Sequence, residues 1–304
     1  MNKERIMKLD FVNQSLIKKF YHKGNEVPHC PRKIIDADFI ETESMTKGKY
    51  FETHLLGSSA KGDAVYDLPR RKLTKKQIAQ NIINEREGKP LIIGDKLTDQ
   101  KRIDIQIERA KKLIAKHQIT IAPGINTQVP VFKRWEQDPN IILRGEFDIF
   151  PTGLWSRKFN KYLLAAIDLK LTAKLDSTWG KYCYGAPEHL DEIQGIFYQY
   201  ALYDLDFELN PHLKELINQG MVDRFREELR FYLWVFNYAT DDLDDKFFQI
   251  VYTKAKEYEL FESIRKTLSI IEKYNNEGWQ PVPDGDECRN CPLADNCSSN
   301  YYGI

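Results

Sequence analysis

Two stretches of the chain put charge where a strand should be apolar. In Leu163-Leu-Ala-Ala-Ile-Asp168-Leu-Lys170-Leu an acid and a base interrupt an aliphatic run. The two-residue period of a strand sets Asp168 and Lys170 on one face, with Ile167, Leu169 and Leu171 on the other. In Arg144-Gly-Glu146-Phe-Asp148-Ile-Phe150 the same period groups Glu146 with Asp148 and turns Phe147 and Ile149 away. Aspartate is depleted in strands, and an unpaired buried charge is strongly unfavourable. These side chains therefore either face water as an ordinary ion pair, which contributes little, or serve a site. Acids and a lysine on neighbouring strands make a cradle for a divalent cation, because Mg²⁺ takes hard carboxylate oxygens and keeps several waters.

The cysteines offer a second centre. Cys288, Cys291 and Cys297 fall in a C-x2-C-x5-C loop, which lets one short segment wrap three thiolates around a soft metal. Cys30, in Pro28-His-Cys-Pro-Arg-Lys33, is the obvious fourth ligand. Zinc and iron-sulfur clusters both accept four thiolates, and spacing does not choose between them. A shared site would clasp the two ends of the chain together, at an entropic cost that grows only logarithmically with loop length. Cys183 stands apart in a Tyr- and Gly-rich stretch and reads as a free thiol. The odd count of five argues against a disulfide framework.

The elements that must position these groups follow from hydrophobic periodicity. Helices are expected over 13–21 and 36–57, the second carrying Gly48-x3-Glu52 and His54. From 70 to 117 the chain is rich in Lys, Arg, Gln and Glu, with apolar residues at Ile103, Ile107, Ala110, Leu113 and Ile114. That three-and-four spacing predicts one or two amphipathic helices, and the run Arg70, Arg71, Lys72, Lys75, Lys76 reads as their solvated face. Strands are expected over 127–135, 141–150 and 162–172, a helix over 188–203, strands over 230–238 and 247–252, and a last helix over 255–274. The order is that of an α/β domain. The 304 residues are 42% hydrophobic, enough for a substantial core. Forty-five basic residues balance 45 acidic ones, so any polyanion site must be a local patch. No apolar run approaches the roughly 20 residues of a membrane span. Residues 1–10 lack the apolar stretch of a secretory signal, so the cytoplasm is the expected location.

Taken in order, Gly48-x3-Glu52, Gly145-x2-Asp148, Asp168-x-Lys170 and Gln194-x3-Tyr198 resemble the motifs of PD-(D/E)XK nucleases of RecB type. The Cys-Pro-Arg-Lys element before them and C-x2-C-x5-C after them resemble the iron-sulfur branch of that superfamily. This branch holds the CRISPR-adaptation exonucleases called Cas-four and the AddB nuclease domain. The resemblance spans Cys30 to Cys297, with residues 60–120 as a helical insertion and 284–304 as a cluster loop closing onto Cys30.

The resemblance implies a restriction-endonuclease-like core, a central mixed sheet flanked by helices, in a single domain of residues 1–304. Glu52, Asp148, Asp168 and the carbonyl of Leu169 would gather one or two Mg²⁺ or Mn²⁺ ions. Lys170 would position or help deprotonate the attacking water, while Gln194 and Tyr198 would line the site. Cys30, Cys288, Cys291 and Cys297 would hold a 4Fe-4S cluster in preference to zinc. The expected substrate is DNA, single-stranded or with free ends, and proteins of recombination or CRISPR adaptation are the expected partners. The competing expectation is an inactive nucleic-acid-binding module, or a structural subunit of a recombination complex, stapled by zinc. Trp179, Lys181, Tyr182 and Tyr184 suit stacking on unpaired bases under either reading.

Overall fold

The structure, a computed structural model, describes residues 11–22, 24–27, 30–36, 42–57, 68, 72–93, 98–173, 175, 192–238 and 244–281, with 288, 291, 293 and 297. Arg70 and Arg71, the loop from Trp179 to Tyr184 with Cys183, and most of 284–304 lie outside the described residues.

A five-stranded mixed sheet, in the order β3-β4-β5-β6-β7, organises the chain. Helix α1 (Gln14–Phe20) leads into a two-residue hairpin, β1 (Tyr21–His22) and β2 (Asn25–Glu26). The helices α2 (Pro31–Asp36), α3 (Glu43–Leu56), α4 (Lys75–Arg86) and α5 (Thr98–Lys116) follow. The meander β3 (Thr127–Trp135), β4 (Asp138–Ser156) and β5 (Lys161–Thr172) is antiparallel. The chain then crosses through α6 (Ile193–Leu202) and two single-turn helices, α7 (Gln219–Val222) and α8 (Phe225–Glu228). It re-enters the sheet as β6 (Arg230–Asn237), parallel to β5, and turns back as β7 (Asp245–Ile250) before the long α9 (Lys254–Glu277).

Both faces of the sheet are covered, and the alternation along β6 divides them cleanly. Phe231, Leu233 and Val235 join the core with α1, α6 and α9. Trp234 and Phe236 join the opposite core with α3 and α5. Burying each such aromatic contributes on the order of 1.5–3 kcal/mol. On α5 the three-and-four spacing does what it predicts, burying Ile103, Ile107, Ala110 and Ile114. The indole N–H of buried Trp234 donates to Asp245 at 2.8 Å, and Asp245 pairs with Arg109 of α5 at 2.6 Å. The polar edge of the ring is thereby satisfied and the helix tied to the sheet.

Three differences from the sequence expectations have physical causes. β4 runs on past the expected end at Phe150 to Ser156, because Thr152 to Ser156 pair as a ribbon with Lys161 to Ala165 at the start of β5. The short helices after α6 carry too few turns to leave a period in the sequence. Phe147 and Ile149 do not share a face: Phe147 packs in the α6 core and Ile149 in the α3 and α5 core. The alternation breaks at Asp148, opposite Gln128, whose φ of 53° is left-handed within a strand.

Candidate active site

A gap in the sheet gathers the charged residues. The registered pairs between β4 and β5 run from Ser156–Lys161 to Ile149–Ile167. At the other end of the same β4 edge Val12 takes the place of β5. Its N–H donates to Ile142 O at 2.7 Å, and its carbonyl accepts from Arg144 N at 2.8 Å. Between these stretches no strand pair is registered on that edge among the described residues. There the Leu169 N–H donates to Asp148 Oδ2 at 2.6 Å, a carboxylate standing in for a ladder carbonyl.

Gln128, on β3, donates from Nε2 to Asp148 Oδ1 at 3.1 Å, so both oxygens of Asp148 are held. A left-handed backbone in a residue other than glycine carries a cost of order 1–3 kcal/mol and collects at functional sites. Gln128 was not singled out from the sequence, since a glutamine in a strand has no signature. Its backbone angle and its partner reveal it.

From the α6 side, Gln194 donates to Asp168 Oδ1 at 2.6 Å, and the hydroxyl of Tyr198 is in hydrogen-bond contact with Gln194. The other oxygen of Asp168 meets Lys170 as an ion pair. Asp168 is sealed, its side chain 4% exposed, while Lys170 keeps 30% of its side chain open. Two glycines let α6 come this close. A Cβ on Gly195 would lie 2.8 Å from Ile250, and one on Gly145 would lie 3.2 Å from the Tyr198 ring. The Gly145-x2-Asp148 spacing thus joins the packing of one aromatic to the placement of one acid.

Glu52 arrives from the other face on α3, which Lys47 ties to α5 through Asp99 at 2.6 Å and Tyr50 through its hydroxyl on Asp104. Burial, together with the charges of Asp168 and Glu146 and against that of Lys170, pushes the Glu52 carboxyl up to about 7. Burial, then the charges of Asp168 and Glu52, raises Asp148 well above the usual carboxylate range. Burial disfavours the charged form of Lys170, yet Asp168 and Asp148 outweigh it and hold the ammonium protonated. Burial and the charge of Asp168 likewise keep the Tyr198 hydroxyl protonated. His54 sits apart from this network. Its ring stacks on Tyr50 at 4.1 Å, and its Nδ1 lies 2.8 Å from Tyr50 O.

The residue types suit a hard divalent cation: the carboxylates of Glu52, Asp148 and Asp168 act on one another electrostatically beside Lys170, a repulsion that such an ion relieves. Among the described residues no three His, Cys, Asp or Glu side chains stand together as a ready ligand set. The oxygens of Asp148 and Asp168 are instead engaged by Gln128, Leu169, Gln194 and Lys170. The same absence holds for the cysteines. Cys30, Cys288, Cys291 and Cys297 are all half-buried thiols. The two ends of the chain do approach each other: Trp279 packs on Phe20 at 6.3 Å, and Tyr274 lies within electrostatic reach of Cys30.

Among solved structures, the chain is similar to a proposed exonuclease from Eubacterium rectale, with a TM-score of 0.54 and 15% identity over 97% of this chain and 90% of that one. The two share a fold. A second solved structure, SSO0001, aligns over 98% of this chain and 94% of that one at 9% identity, and its TM-score of 0.35 carries no argument. No family model and no curated protein matches the chain. No helix among the described residues is long and apolar enough to cross a membrane.

Proposed function

We propose that the chain is a metal-dependent deoxyribonuclease of the RecB-type PD-(D/E)XK kind, acting on single-stranded DNA or DNA ends. One observation carries the reading: Asp148 of β4, Asp168 and Lys170 of β5, Gln194 of α6 and Glu52 of α3 converge where β4 and β5 part, four elements meeting at one place. Sharing a fold with a proposed exonuclease supports it.

Glu52, Asp148, Asp168 and the Leu169 carbonyl would hold Mg²⁺ or Mn²⁺, which when bound supplies Lewis-acid stabilisation of phosphoryl charge and acidifies water. The rest of the chemistry belongs to the chain. Gln128 and the Leu169 amide fix both oxygens of Asp148, and Gln194 fixes one oxygen of Asp168, so the acids need little reorganisation when substrate arrives. Lys170, charged and partly open, orients the attacking water and holds positive charge beside the scissile phosphate. Tyr198 keeps its proton and buttresses Gln194. At the ends of the chain, Cys30, Cys288, Cys291 and Cys297 would hold a 4Fe-4S cluster, suited by four thiolates and by the contact of Trp279 with Phe20.

The test is digestion of end-labelled single- and double-stranded DNA by the purified chain with Mg²⁺, Mn²⁺ or chelator, beside Asp168→Ala. Cleavage that needs the cation and vanishes in the variant is expected. Absence of cleavage with either ion, or equal cleavage by the variant, would reject the reading.

A further inference from the structure

Helix α4 leaves its aliphatic residues uncovered. Its start is well made, with the Thr74 hydroxyl accepting from Gln77 N and the Gln77 side chain accepting from Thr74 N at 2.9 Å, yet the helix buries no residue. The face it does cover is polar. Asn81 clasps Ile92 through both main-chain groups, donating to its carbonyl at 2.9 Å and accepting from its N–H at 2.6 Å, and Asn84 donates to Pro90 O at 3.0 Å. These bonds fold residues 90–92 onto the helix. Ile78 and Ile82 stand on the flank beside that clasp and Ile83 further round the helix, each about half exposed, and the folded-back segment adds Leu91 and Ile93 at 52% and 68%. An amphipathic helix ordinarily covers its aliphatic stripe, and this one leaves it open. A cluster of exposed aliphatic residues of this kind marks an interaction surface.

We propose that a second copy of this chain covers this face, α4 lying antiparallel to its own twofold mate. The charges on the stripe choose that partner. Ile78 and Ile82 are one turn apart, Lys75 lies a turn before them and Glu85 a turn after. A twofold axis beside residue 80 sets Ile78 against the partner's Ile82 and Lys75 against the partner's Glu85. A parallel pairing would oppose lysine to lysine. Neither Lys75 nor Glu85 enters an ion pair among the described residues, so both are free for the partner. Such an interface is isologous and closes on itself. A helix of this length spans about 18 Å, and two of them fall short of the ~1,200 Å² of a stable interface, so a weak dimer is expected, dissociating in the micromolar range. The surface is independent of the nuclease reading, because none of its residues touches the carboxylates of the gap.

Sedimentation velocity on the full chain between ~1 and ~100 µM tests this. Concentration-dependent dimer is expected, lost in Ile82→Asp with the circular dichroism and melting temperature of the parent, since the site is exposed in the monomer. Lys75→Glu and Glu85→Lys should each raise the dissociation constant by about fivefold or more, and the two together should restore it. A parent that stays monomeric at the top concentration overturns the proposal. So does a dimer indifferent to Ile82→Asp, or a charge swap that fails to restore the dimer; capture of a different protein by a monomeric chain would assign the face to that partner instead. Metal-dependent cleavage of DNA by the monomeric variant is expected to match the parent, so the two readings fail separately.

Discussion

Asp148 accepts the main-chain N–H of Leu169 at 2.6 Å, doing for β5 what a neighbouring strand would otherwise do. The acid is thus both a site residue and a piece of the sheet, and two substitutions separate these roles. Asp148→Asn keeps an acceptor for Leu169 and removes a carboxylate whose charge burial and Asp168 disfavour. Gln128 can adapt by turning its amide, because its Oε1 is buried without a hydrogen bond. Asp148→Ala leaves the Leu169 N–H without its acceptor, a cost of about 1–3 kcal/mol. Chemical denaturation should find the Asn variant more stable than the Ala variant by about that amount, while neither cleaves DNA.

Gln128 should matter to cleavage more than to folding. Gln128→Gly removes the amide and also the left-handed cost, since glycine adopts φ of 53° freely. Its melting temperature should stay close to the parent's while single-turnover cleavage slows by tenfold or more, an order typical of a lost positioning contact. Gln128→Ala should lose both, because the backbone cost remains. Equal activity of the glycine variant and the parent would reduce Gln128 to a structural residue.

The Glu52 carboxyl, raised by burial from its ordinary 4.5 to about 7, disfavours the folded state once it ionises. A raised acid stabilises the fold at low pH and loses that contribution as the pH climbs through the folded value. In chelator the melting temperature should therefore fall between about pH 4.5 and 7, and Glu52→Gln should flatten that slope. Added Mg²⁺ should recover the loss for the parent and not for the variant. A slope unchanged by Glu52→Gln would place the titration elsewhere.

Lys170→Met keeps the length of the side chain and removes its charge. Binding of DNA in Ca²⁺ should change little, since the metal and its acids hold the phosphate, whereas the cleavage rate should fall by about 10²-fold or more. A parallel loss of affinity and rate would make Lys170 a phosphate anchor.

Protein purified without oxygen should be brown, and Cys30→Ala or Cys288→Ala should lose the iron and lower the melting temperature, while Cys183→Ala does neither. Visible absorption with iron and zinc analysis decides this. One zinc and no iron per chain would replace the cluster and leave the nuclease reading untouched.

Much of the scaffold was legible because period and residue type agree: the alternation around Asp168 and Lys170, and the stripe of α5, each report a face that the structure covers. What escaped were features set by where one segment meets another. Val12 pairs with β4 through a single bridge, too short to leave a pattern. The turn of Gln128 into left-handed backbone has no residue signature, yet it accompanies the break in alternation that parts Phe147 from Ile149. In α4 the sequence shows isoleucines at 78, 82 and 83, but their positions do not tell whether another segment covers them. The choice of Glu52 on α3 rests on motif spacing alone, Gly48 standing four residues before it.

The gap between β4 and β5 joins parts of the chain that differ in how far apart they lie in sequence. The meander β3-β4-β5 is built from neighbours in the chain and can pair as soon as it is made, whereas β6 must return across α6 to lie parallel beside β5. Gln194 reaches Asp168 only when that crossover has docked. Asp148 and Asp168 therefore come together with the meander itself, and the cover that Gln194 and α6 give to Asp168 arrives only with the crossover.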